Sequence, residues 1–165
     1  MSPVVSGASG GSGKGSLLAI TQYAPALIAT YAFSGITNLT AVDTANVTLP
    51  FVVPPSGNVI VACNVFTWQQ NLLGMYGIGL LNHAGGAQVG DTWQFGISGF
   101  VAANNFQPWL TVHPTFYLTG LTPGPLQVDL AAATTSGNFT LYAQAVTGGP
   151  NTAKASPLIM AAYQA

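Results

Sequence analysis

Val112 to Tyr142 reads VHPTFYLTGLTPGPLQVDLAAATTSGNFTLY, and the fold class is legible in this stretch. Apolar runs alternate with corners. Thr122-Pro123-Gly124-Pro125 is the first corner: proline sets φ near −65°, and glycine supplies the positive φ that a type II turn needs next. Ser136-Gly137-Asn138 is the second. Between them Leu126, Val128 and Leu130 fall on one side, and Gln127 and Asp129 on the other. That period of two marks a strand with one buried face. Phe139, Leu141, Ala143 and Ala145 repeat it. The stretch is expected to be an antiparallel β meander with no chemistry in it.

Working outward, further strands are expected at Leu17–Tyr23, Ala26–Phe33, Asn38–Val42, Asn46–Val53, Asn58–Gln69, Gly74–Asn82, Ala87–Gly96, Pro108–Leu118 and Pro157–Tyr163. Gly74–Asn82 is expected to pair with Asn58–Gln69, and Gly85-Gly86 to turn a hairpin. No long segment keeps a 3.6-residue period, so no helix is expected. Short strands with frequent turn signals point to an all-β, antiparallel β-sandwich or barrel. Residues 1–16, MSPVVSGASGGSGKGS, read as a flexible Gly/Ser arm, and residues 17–165 as a single β-sandwich domain.

Charge is almost absent. Of 165 residues only Lys14, Lys154, Asp43, Asp91 and Asp129 are charged, 3% of the chain against about 25% in an ordinary soluble domain. A net charge of −1 leaves no electrostatic footprint for nucleic acid or an anionic membrane. So little charge also means little repulsion between copies, and charge depletion marks the cores of interfaces. The composition therefore favours a protein that works inside an assembly, against neutral drift of a Thr-rich surface. Leu17 to Ile36 is long enough to cross a bilayer, but Gln22, Pro25 and its Thr and Ser residues assign it to two strands. No basic-then-apolar leader is read at the start.

Asn58–Gln69 is the most apolar strand. Val59, Val61, Cys63 and Val65 lie on one face, and Ile60, Ala62, Phe66 and Trp68 on the other, broken only by Asn64. A sandwich strand with a wet outer face should be polar there. The second face is expected to be covered, by a loop or by another subunit, and the subunit is preferred.

Candidate chemistry is thin. Cys63 is the only cysteine, so no internal disulfide forms, and it reads as a small buried hydrophobe. Gly13-Lys14-Gly15 lacks the Ser/Thr and the earlier glycine of a phosphate-binding loop. His83 and His113 have no nearby Cys, Glu or His at metal-ligand spacing. No nucleophile elbow is present, and three carboxylates near turns or on a polar face do not suggest paired acid–base work. No catalytic residue, metal ligand or cofactor is expected. Trp93 and Trp109 could stack on sugars from loops, as in a tail or fibre tip that binds host-surface glycan, although aromatics more often fill cores and interfaces.

Four segments carry a resemblance: LTAVDTANVTLPFVVPPSGNVIV from Leu39 to Val61, YGIGLLNHAGGAQVGDT from Tyr76 to Thr92, YLTGLTPGPLQVDLAAATTSGNFTLYA from Tyr117 to Ala143, and SPLIMAAYQA from Ser156 to Ala165. In order and spacing the chain resembles small virion proteins of tailed bacteriophages, above all those of actinobacterial phages. The resemblance implies a jelly roll similar to the tumour-necrosis-factor and complement C1q fold. It also implies a homotrimer attached to the exterior of a capsid or tail, as a decoration protein, head fibre or minor tail protein. Its partners would be other copies of itself and the major capsid or tail proteins of the same virion. On that reading Phe66, Trp68 and Tyr163 are candidates for the subunit interface, and Val4, Val5 and Lys14 in the arm for the particle anchor.

Overall fold

The structure is a computed structural model that describes residues 4–7, 14–25, 27, 29–35, 38–69, 75–90, 94–97, 109–134, 138–143 and 157–165. Its strands are β1 (Val4–Gly7), β2 (Leu17–Tyr23), β3 (Ala29–Ser34), β4 (Thr40–Ala41), β5 (Thr48–Val53), β6 (Val59–Gln69), β7 (Met75–Asn82), β8 (Gln94–Ile97), β9 (Trp109–Val112), β10 (Thr115–Leu118), β11 (Gly124–Thr134), β12 (Asn138–Ala143) and β13 (Leu158–Gln164). Among the described residues there is no helix.

The strands form two antiparallel sheets. The eight-stranded sheet runs β1-β2-β13-β6-β12-β3, with β9 and β10 on the other edge of β6. The five-stranded sheet runs β4-β11-β7-β8, with β5 also on β11. Along the chain β5, β7, β8 and β11 build the second sheet, while β2, β6, β9, β10 and β13 build the first. That interleaving of two Greek keys is a jelly roll.

Strand β6 shows why the sheets stack. Val59, Val61 and Val65 are fully buried and Cys63 nearly so, while Ile60, Ala62, Asn64, Phe66 and Trp68 are half-buried. Beside them Phe116, Leu118, Leu141, Leu158 and Met160 point inward from the same sheet. Leu49, Phe51, Ile78, Leu80, Val128 and Leu130 meet them from the other. β-Branched and large apolar side chains at alternate positions make these strands, and burying that one face joins the layers.

The expected meander is corrected. β10 pairs with β6, β11 pairs with β4, β5 and β7, and β12 pairs with β3 and β6. The first corner bends the chain, with Gly124 at φ +129° and Gly120 shortly before it at +68°; Ser136 and Gly137 of the second lie outside the described residues. The first carries the chain from β10 in one sheet to β11 in the other rather than back along a neighbour. Turn chemistry dictates a reversal, whereas sheet membership depends on which edges are free, and both edges of β11 are already taken.

The expected pairing of Gly74–Asn82 with Asn58–Gln69 is corrected for the same reason, since β7 lies beside β11 and β8. The hairpin at Gly85-Gly86 is present, closed by Asn82 and Ala87 and continued by a bridge between Leu81 and Gln88. The expected strand Pro108–Leu118 is present as β9 and β10, which share one register on β6. Pro114 interrupts it because it has no N–H, yet its carbonyl still accepts from Cys63 N at 2.9 Å.

Within residues 1–16, read as a flexible Gly/Ser arm, Val4–Gly7 form a strand. Val4–Gly7 pairs antiparallel with β2, Val4 opposite Gln22 and Val5 opposite Thr21. β2 would otherwise be an open sheet edge, and covering such an edge satisfies its free backbone groups.

Candidate functional site

The outer face of the eight-stranded sheet is the most distinctive surface among the described residues. Because paired residues share a face, Tyr163, Ile60 and Tyr117 form one row across β13, β6 and β10. Ala161, Ala62 and Thr115 form the next. Tyr142, Phe66 and Thr111 form a row further along, across β12, β6 and β9. The Phe66 and Tyr142 rings meet edge to face, with centroids 6.2 Å apart and planes at 64°, an arrangement the ring quadrupoles favour. Tyr117 is 74% exposed. No Lys, Arg, Asp or Glu occurs in these rows.

Phe66, Trp68 and Tyr163 all lie on this face, half-buried. Phe66 and Trp68 are neighbours on β6. Tyr163 sits level with Ile60, which puts it about 20 Å along the sheet from Phe66 at ordinary strand rise. The face has aromatics at both ends; between them lie the row of Ala161, Ala62 and Thr115 and then Ile159 opposite Asn64. Sequence reading missed Tyr117, the most exposed aromatic described, because Thr115-Phe116-Tyr117-Leu118 looks apolar on both faces. Its place on the outer face follows from its register opposite Ile60, which only the pairing of β10 with β6 reveals.

The other candidates scatter. Val4 and Val5 are held in β1, and Lys14 is exposed just before the point where Gly15 and Ser16 bond with Gln164. Trp109 opens β9 opposite Trp68, a strand position where the glycan reading expected a loop. Trp93 lies outside the described residues. Cys63 is buried, and burial pushes its thiol up to about 12, so the nucleophilic thiolate is not populated near neutrality. No three His, Cys, Asp or Glu side chains come together as metal ligands among the described residues.

Two polar constellations were not legible in sequence. His83 Nδ1 lies 2.9 and 3.2 Å from the carboxylate oxygens of Asp129. The Asp129 side chain is 3% exposed, and that of His83 36%. Alternation had placed Asp129 on a polar face. The odd face of β11 is instead covered, with Ala131 and Ala133 also buried. Leu39 lies so close over the neighbouring Gly79 that a Cβ there would sit 2.5 Å from its Cδ1. The second constellation centres on Asp43. Its carboxylate accepts from Tyr31 Oη, Asn46 Nδ2 and the amides of Ala45 and Asn46.

The strand order defines an antiparallel jelly-roll sandwich. No protein-family model matches the chain, and no curated protein matches it. Among solved structures it is similar to the infectious bursal disease virus VP2 subviral particle, with TM-score 0.41 and 9% identity over 98% of this chain and 37% of that one. It is also similar to the structure of the infectious bursal disease virus Gx strain, with TM-score 0.38 and 12% identity over 98% and 36%. The chain thus spans little more than a third of the length of either.

Proposed function

We propose that this chain is a structural virion protein. It assembles as a homotrimer through the outer face of its eight-stranded sheet and decorates or stabilises a capsid, or forms a head fibre on its exterior. One observation carries the reading: an uncharged face with Tyr163, Ile60, Tyr117, Phe66 and Tyr142 in rows. A partner for such a face must itself lack charge, because an unpaired charge buried against it would be costly. A second copy of this chain meets that requirement. The number three comes from the family resemblance, as does the virion setting. Val4, Val5 and Lys14 are the anchor to the shell, and binding only the assembled shell would stabilise it by mass action. The chain does no catalysis in this reading and needs no cofactor.

The test is the mass of the purified protein by light scattering, followed by sedimentation with and without particles. A trimer that co-sediments with capsids supports the whole reading. A trimer that ignores particles removes decoration and leaves self-association. A monomer that ignores particles overturns both.

A further inference from the structure

A groove of about 670 Å³ opens between β2, β5, the start of β11 and the turn after β7. Leu18, Phe51, Val52 and Leu126 supply apolar walls, and Asn82 and His83 line its polar end. Its volume falls in the range of about 300–1,000 Å³ that holds small ligands, and an apolar wall with a few fixed polar groups is the ordinary make-up of such sites.

The polar end is built rather than incidental. The chain has only three carboxylates, and one of them, Asp129, is 2% exposed. Its hydrogen bonds come from His83 Nδ1, at 2.9 and 3.2 Å. Burying a carboxylate is costly, and an apolar pair of the same volume is often at least as stable. What the pair does beyond stability is orient the ring. In the neutral ring, the tautomer that donates Nδ1–H to Asp129 leaves the Nε2 lone pair for a ligand. The backbone holds His83 in place as well, its amide donating to Gln127 O at 3.0 Å.

We propose that this groove binds a small uncharged ligand with an apolar body and one hydroxyl donor, an apolar alcohol or phenol, whose O–H donates to His83 Nε2. A carboxylate ligand is disfavoured because it would add a second negative charge in front of the one buried behind the ring. The site is independent of the assembly reading, since none of the five residues that carry that reading lines it.

The test uses the full chain in the assembly it adopts. Backbone and imidazole nitrogen resonances are followed by NMR while p-cresol, toluene or p-toluate is added. p-Cresol is expected to shift His83 Nε2 and the Val52 and Leu126 amides. It should bind about 3- to 10-fold more tightly than toluene, the worth of one net hydrogen bond. Toluene should move the wall residues without moving Nε2. Val52→Asp, a change at a position 64% exposed, should abolish binding of both. Four results would overturn the proposal: no binding by any probe, equal binding of p-cresol and toluene with Nε2 unmoved, p-toluate binding as well as p-cresol, or undiminished binding by V52D.

Discussion

Tyr31 Oη donates to Asp43 Oδ2 at 2.7 Å, and this bond ties β3 to the turn that leads into β5. Asp43 is the hub of that turn. Its Oδ1 accepts from the amides of Ala45 at 2.9 Å and Asn46 at 3.1 Å, and its carbonyl accepts from Val47 at 2.8 Å. Burial alone would raise its pKa, but the bonds from Asn46, Tyr31 and the two amides outweigh it and hold the carboxyl below its usual value. Burial first, then the bond to Asp43, pushes the Tyr31 phenol well above its usual value. It therefore stays a donor throughout the range in which Asp43 titrates.

The sign of the pH dependence follows. A carboxylate depressed in the folded state stabilises the fold above its unfolded pKa, about 3.9. That stability is lost as pH falls through the lower folded value. Asp43→Asn should cost about 1–2 kcal/mol near pH 7, and the gap from wild type should close below about pH 4. Urea midpoints from pH 7 to pH 2 measure it. A gap that stays constant would show that ionisation of Asp43 contributes nothing.

Gly57 closes the turn after β5 with φ of +68°, and a Cβ there would lie 2.7 Å from the backbone oxygen of Leu121. The two segments are bonded, Leu121 N to Gly57 O at 3.0 Å, so neither can retreat freely. Gly57→Ala should destabilise by about 2–4 kcal/mol, combining left-handed strain with the clash. Gly35 has φ of +62° but open space around it, so Gly35→Ala should cost only about 1 kcal/mol. Thermal and urea unfolding of the two variants separate the terms, and equal losses would remove the clash from the account.

Tyr117 is 74% exposed and shares a row with Ile60 and Tyr163. Tyr117→Asp should leave the stability of the monomer within about 0.5 kcal/mol, as surface changes usually do. If the proposed trimer forms through this face, the variant should shift the mass in solution from trimer towards monomer, because it would place a charge where the partner copy cannot solvate it. Light scattering across a dilution series reads the shift. A trimer as tight as wild type would exclude this face as the contact.

Removal of residues 1–13 takes away β1 and leaves β2 held by β13 alone. The fold, and with it the proposed trimer, should survive, since β2 keeps its pairing from Leu17 to Tyr23 with β13. Binding to particles should be lost with Val4 and Val5. Circular dichroism, light scattering and co-sedimentation together check this, and undiminished particle binding would end the anchor assignment.

Local periodicity was enough for most strands. Val59, Val61, Cys63 and Val65 alternate with half-buried neighbours on β6 as their spacing requires, because the pleat itself enforces a period of two. The hairpin at Gly85-Gly86 and the positive φ of Gly124 follow equally from residue chemistry. The apolar residues on both sides of β6 likewise mark its outer face in the sequence itself.

Only the tertiary structure decided which strands are neighbours. Proline and glycine at Thr122–Pro125 force the chain to turn, but whether it turns within a sheet or crosses to the other depends on edges supplied by β5 and β7, far away in sequence. Asp129 looked solvent-facing for the same reason, since alternation says which side chains share a face and nothing about what covers it. Its partner His83 is 46 residues away, and hydrogen bonds over that distance leave no mark on local pattern. The strands of this protein are written in short-range sterics and hydrophobic spacing. Its sheet order, its buried carboxylate and its groove come from packing between segments that only the folded chain brings together.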